Sequence, residues 1–156
     1  MNILFITSTR LGDGVLSTGA LDHFIQKYPE AKITVACGSL VAGIFEQAPQ
    51  VAQVIALNKE PYAMHWYKLW AAACRTQWDI IVDLRNSPVS RVLRAKTKYI
   101  WGRQDNKKHK VEQIAEIIGV SPPPAPVLWF DEAVRKKAEA YVPSGSPVLA
   151  IGHVAN

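Results

Sequence analysis

Short apolar runs alternate with segments of helical periodicity along most of this chain, and that alternation constrains its fold more than any other feature. The runs cover residues 3–6, 33–37, 51–57, 79–84 and 99–101, and most are rich in Ile and Val. Continuous apolar runs of this length read as strands buried on both faces. Between the first two, Val15, Leu16, Leu21, Phe24, Ile25 and Tyr28 recur at helical spacing up to Pro29. Further helices are expected over 40–47, 62–75, 89–94 and 107–118, the last closed by Gly119. Strands that alternate with helices need crossover connections, so the pattern predicts an α/β fold, a Rossmann-like doubly wound parallel sheet.

Composition agrees. Of 156 residues 49% are hydrophobic and 20% charged, and a chain this long buries roughly 70% of its unfolded surface. A disordered tail, a collagen-like fibre and a disulfide-stapled miniprotein are excluded. No stretch is apolar enough to span a bilayer, and the opening residues lack the basic region of a secretory signal. Cys37 and Cys74 are far apart with no metal-type spacing, which suits free, buried thiols in a reducing compartment. The expectation is a soluble, cytoplasmic protein.

The proline run at 121–126 breaks the rhythm and reads as a stiff connector. A helix is expected from Asp131 to about Tyr141, then a new apolar strand at 147–151 that stops in a glycine turn. That is half of a βα unit. The expected division is a Rossmann-like domain over 1–121, a connector and linking helix over 122–146, and the first strand of a truncated second α/β domain over 147–156.

Net charge is +5, but its placement says more than its size. From Arg85 to Lys110 the chain carries nine basic residues and one acid, Asp105. A field concentrated in this way steers an anionic partner, whether nucleic acid, lipid headgroups or phosphorylated sugars. The plainer account is that these side chains solvate loops and one helix face. Nucleic acid is disfavoured, because aromatics are not interleaved with the charges as in a stacking platform.

Chemistry is expected at the first strand-to-helix turn, since open parallel sheets bind ligands beyond the carboxyl ends of their strands. Residues 7–14 form a polar turn in which Gly12 and Gly14 would let a ligand approach the backbone. The dinucleotide fingerprint fails, because Ser17 stands where its third glycine belongs, and no Walker loop is present. Asp13 lies between the two glycines. It can serve as a general base or cap the following helix, and spacing alone favours the cap.

Four blocks carry a family resemblance. Residues 3–6 with Leu11-Gly12-Asp13-Gly14-Val15-Leu16-Ser17-Thr18-Gly19-Ala20-Leu21 resemble the opening of the ADP-heptose:lipopolysaccharide heptosyltransferases, glycosyltransferase family 9, of GT-B fold. Tyr28-Pro29-Glu30-Ala31-Lys32-Ile33-Thr34-Val35 is similar to that family's FPxAxIxxL strand. The segment from Asp79 to Ser87 resembles its strand-Asp-Leu-polar-Asn-Ser block, and 108–113 with 117–120 resemble its HxVEq…LLGv block. Residues 149–156 are similar to the first strand and turn of the family's second domain. Gly19 and His153 stand where the family usually has proline, and Gly14 where it has an aliphatic residue.

The resemblance implies two facing Rossmann-like domains, an N-terminal one for the acceptor and a C-terminal one for the nucleotide-sugar donor. Transfer would be inverting and metal-independent, with Asp13 deprotonating the acceptor hydroxyl. The candidate site is Asp13 as catalytic base, with Arg10, Gly12, Gly14, Arg85, Asn86, Ser87 and His109 binding substrate. No cofactor or metal is expected, the donor being an ADP-heptose-like nucleotide sugar. A phosphorylated glycolipid of the lipopolysaccharide-core type is the expected acceptor, held by Arg85, Arg91, Arg94 and the lysines near His109. This chain alone would be the inactive acceptor half of a heptosyltransferase-like enzyme. Tyr62, Trp66 and Trp70 share one face of their helix, and core is the expected role for that stripe. The other role is contact with acyl chains or the membrane surface, so peripheral membrane contact belongs to this reading. The alternative from another class is a stand-alone α/β module that binds an anionic ligand, with Asp13 only a cap.

Overall fold

Alternation along the first strand sets the layers. In the computed structural model, which describes residues 1–105 and 107–141, β1 (Asn2–Ile6) sends Ile3 and Phe5 into one core and Leu4 and Ile6 into another. A strand buried on both faces must be central. It pairs with β2 (Lys32–Cys37) on one side and β4 (Trp78–Asp83) on the other, both parallel. With β3 (Val51–Ala56) and β5 (Ala95–Ile100) outermost, the sheet runs β3-β2-β1-β4-β5 and every pairing is parallel. The expected doubly wound sheet is observed.

The first core joins Ile3, Phe5, Ile33 and Val35 to Leu21 and Phe24 of α1 (Leu11–Lys27), Phe45 of α2 (Ala42–Glu46), and Ile114 and Ile118 of α5 (Lys110–Ile118). The second joins Leu4, Ile6 and Ile81 to Leu69 and Ala73 of α3 (Met64–Ala73) and Val89 of α4 (Pro88–Val92). Trp78 ties that layer down by donating its indole N–H to the Ala73 carbonyl at 2.9 Å.

Several elements differ from expectation for identifiable reasons. The fifth strand begins four residues earlier than its apolar run, because Lys96, Thr97 and Lys98 on this edge strand face solvent. Lysines on an edge discourage pairing with another chain, and here they also hide the strand's signature. Helix α1 starts at Leu11 rather than Val15, with Arg10 extended and its N–H donated to Ser8 Oγ at 3.0 Å. Gly12, Asp13 and Gly14 are therefore helical, not part of a turn. In α3 the expected core stripe is wrong in face: Leu69 and Ala73 are buried and Trp66 is partly buried, while Tyr62 and Trp70 are exposed. Cys37 is buried as expected, but Cys74 is exposed.

The proline-rich run lies on α1. A Cβ on Gly19 would sit 2.5 Å from the carbonyl oxygens of both Pro124 and Ala125, so only glycine admits this crossing. Thr18 Oγ1 accepts the Val127 N–H at 2.9 Å, and Trp129 packs on the first core. The packed body thus continues past residue 121. A helix, α6 (Glu132–Tyr141), follows where one is expected. The expected strand at 147–151 lies outside the described residues. Among those described, no helix is long and apolar enough to cross a membrane.

Candidate active site

Chain order reverses between β1 and β4, and a crevice opens beyond the carboxyl ends of two such neighbours. Here it is a cleft of about 60 Å³ lined by Thr7, Ser8, Asp13, Ser17, Leu84, Arg85, Lys110 and Ile114. Three chain segments build it: the start of α1, the loop after β4, and the start of α5.

Asp13 is the third residue of α1, half-buried and facing the cleft. It is not the cap. Arg10 holds that position, no side chain caps the helix, and among the described residues Asp13 makes no ion pair. The positive end of the helix dipole favours negative charge in this first turn. Below it, Ser17 Oγ accepts from Thr7 Oγ1 at 2.8 Å and donates to the Gly14 carbonyl at 2.7 Å. These two buried hydroxyls form the polar floor that the sequence reading missed.

The two glycines have different roles. Among the described residues, no atom outside its own turn of helix lies within 4 Å of where a Gly12 Cβ would stand, so that position is open to a ligand. Gly14 is buried, and a Cβ there would press on Val41 Cγ1 at 3.1 Å; its role is helix packing, not ligand approach. Arg10 is exposed and does not line the cleft.

The loop after β4 is built around a buried carboxylate. Asp83 Oδ1 accepts the Arg85 N–H at 2.9 Å, while Oδ2 accepts both the N–H and the hydroxyl of Ser87 at 2.7 Å each. Ser87 also caps α4, so its side chain is buried and engaged within the protein, and it does not line the cleft. Asn86, in the left-handed region at φ 53°, is exposed and accepts from Arg91 Nη2 at 2.8 Å. This turn delivers Arg85 to the cleft. Its guanidinium lies 4.8 Å over the Trp66 ring, and its buried Nη1 has no hydrogen-bond partner among the described residues. Partial burial lowers the Arg85 pKa from its ordinary value, with the Asp83 carboxylate opposing.

At α5, His109 is the exposed N-cap of a full capping box. Its Nδ1 accepts the Val111 N–H at 3.4 Å and its own N–H goes to Glu112 Oε2 at 2.8 Å. His109 therefore starts the helix and does not line the cleft. Lys110, one residue on, does line it, with Nζ 3.7 Å from the Trp101 ring centroid. Its spacing to Ile114, which also lines the cleft, is the one sequence signal that could have singled it out.

The basic segment is not a single wall. Lys96 pairs with Asp79 at 2.7 Å and Lys108 pairs with Glu116. Arg94 lies beside Asn2 and Trp78, at the amino-terminal end of the sheet. Among the described residues, only Arg85 and Lys110 bring positive charge to the cleft.

The glycosyl transferase family 9 structure from Veillonella parvula DSM 2008 matches with a TM-score of 0.68 over 90% of this chain and 48% of that chain, at 15% identity. The E. coli heptosyltransferase WaaC with ADP matches at 0.61, over 92% and 55%, at 16% identity. The fold is the one these glycosyltransferases share. The E. coli ADP-heptose lps heptosyltransferase II also matches, at 0.59 over 90% and 50%, with 16% identity. The chain thus spans about half the length of the solved structures it matches. No family model and no curated protein matches the sequence.

Proposed function

We propose that this chain is the acceptor-binding half of an inverting, heptosyltransferase-like glycosyltransferase that works as part of a longer polypeptide. The observation that carries this is Asp13: a carboxylate with no ion pair among the described residues, held in the first turn of α1 over a cleft whose other charges are Arg85 and Lys110. Support for a nucleotide-sugar donor comes from two matched structures, which are E. coli WaaC with ADP and with ADP-2-deoxy-2-fluoro heptose.

Each residue then has a task. Asp13 takes the proton of the acceptor hydroxyl as that oxygen attacks the anomeric carbon. The new C–O bond forms on the face opposite the departing nucleoside diphosphate, which leaves with the bonding pair. A positioned base contributes typically about 10²–10⁴-fold, and orientation of the acceptor supplies more. Arg85, with a buried donor unpaired within the chain, and Lys110 hold phosphate or carboxylate groups of a lipopolysaccharide-core glycolipid. Arginine gives the directional contact and lysine the point charge. Open space above Gly12 admits the sugar beside Asp13.

The decisive experiment is release of nucleoside diphosphate from a panel of sugar nucleotides by the longer polypeptide, with and without phosphorylated core glycolipid. Release that depends on acceptor supports the reading, and none with any donor overturns it. The 156-residue chain itself should bind that acceptor, and Arg85→Ala should weaken binding roughly tenfold or more, as loss of a charge-assisted hydrogen bond does. Unchanged binding would remove Arg85 from the acceptor site.

A further inference from the structure

We propose that the outer face of α3 and α4 docks this protein on an anionic bilayer surface. The inference deepens the acceptor reading above and rests on it for its purpose, because a glycolipid acceptor is presented at such a surface.

The face is apolar and aromatic where a helix should be polar. Tyr62 is 98% exposed, Val92 66%, Tyr67 59% and Trp70 39%. Helix α3 buries Leu69 and Ala73 instead, leaving its larger side chains outside. Tyr62 and Ala63 enter the helix at φ 53° and 58°, a left-handed conformation that costs energy in residues other than glycine. That turn holds Tyr62 in solvent. The Tyr67 and Trp70 rings stand 5.8 Å apart and present one continuous aromatic edge.

Charge selects the occupant. Between α3 and α4 runs a groove of about 470 Å³ in which Trp70, Val92 and Leu93 are flanked by Arg75 and Arg94. Of the eight Lys and Arg in residues 61–78 and 84–104, Lys68 pairs with Glu60, Lys96 pairs with Asp79 and Arg85 faces the cleft; among the rest, Arg75, Arg91 and Arg94 lie on α4 and at the ends of the two helices. Aromatic rings with polar tips beside guanidinium groups match the headgroup layer of a membrane with negative surface charge. A second copy fits poorly, since self-pairing would set basic groups against basic groups. The face is also coupled to the cleft: Trp66, on the same helix, carries Arg85 on its ring.

The test is co-sedimentation of the 156-residue chain with phosphatidylcholine vesicles, with and without roughly 30% phosphatidylglycerol. Neither donor nor acceptor is present, so failure of docking and failure of the transferase reading are separable. The expected result is binding to the anionic vesicles that weakens as salt is raised. Removing both guanidiniums (Arg75→Gln, Arg94→Gln) should weaken it roughly 25-fold, about fivefold for each charge. Tyr67→Ser with Val92→Ser should also weaken it, while Lys136→Gln on α6 leaves it unchanged. All are exposed positions, and an unchanged melting curve confirms the fold. Equal binding to both vesicle types, full binding by the Tyr67/Val92 variant, or equal loss with Lys136→Gln overturns the proposal. So does a dimer in solution that Val92→Ser dissolves, or binding to acidic protein but not to vesicles.

Discussion

Helices α1 and α5 both open onto the cleft, and each carries a carboxylate at its third position, yet the two acids have opposite fates. Glu112 reaches back to the His109 N–H at 2.8 Å and closes a capping box. Asp13 has no such partner, because Arg10 caps α1 without a side-chain bond. One helix start is satisfied internally and the other is left open. A first-turn carboxylate engaged by its own backbone stabilises the helix, whereas one left free keeps its lone pairs for a ligand, at the expense of unsatisfied N–H groups. Asp83 extends the contrast. It directly precedes the cleft residues Leu84 and Arg85, but its oxygens accept three protein donors and none of it is exposed.

The largest expected effect isolates the free acid. Asp13→Asn keeps the shape and removes the proton acceptor, so transfer by the longer polypeptide should fall about 10²–10⁴-fold. Stability should change by less than about 0.5 kcal/mol, as is usual for a group without internal partners. Turnover near wild type, measured as nucleoside diphosphate release, would erase the distinction between Asp13 and Glu112.

Next in size is the buried acid. Asp83→Ala leaves the Arg85 N–H and both Ser87 donors without their acceptor, and each buried orphan costs about 1–3 kcal/mol. A loss of about 3 kcal/mol or more in denaturant unfolding is expected, together with weaker acceptor binding as Arg85 loses its anchor. A loss below about 1 kcal/mol would mean that water replaces the carboxylate easily, and the turn would not be what positions Arg85.

How much of this the sequence reveals follows from which physical signal each residue carries. Four strands are legible because residues such as Ile3 to Ile6 are buried on both faces, and burial demands apolar side chains. The fifth is legible only at its end, since Lys96 and Lys98 answer to an exposed edge. Asp13 is legible as a charged residue between glycines, but its helical position is not, because Gly12 and Gly14 read as turn residues. Ser87 and His109 stand out by motif, yet a polar side chain just before a helix serves capping as readily as binding, and here both cap. Ser87-Pro88 and the His109-to-Glu112 spacing are capping signals in their own right. For α3, spacing shows which residues share a face but not which face turns inward. Leu69 and Ala73 pack in the core, and the aromatics are left outside.

The smallest effect sharpens the comparison from the engaged side. Glu112→Ala opens the capping box at an exposed position and should cost about 0.5–1 kcal/mol of stability. Transfer should stay within about twofold of wild type, since Glu112 touches the helix and not the cleft. Thermal melting and the diphosphate-release assay read the two quantities separately. A variant that melts as predicted but transfers poorly would show that the capping box also fixes Lys110, the next residue, over the Trp101 ring. In that case the start of α5 would position a cleft cation as well as satisfy its own helix, and the two helix starts would differ less than their hydrogen bonds imply.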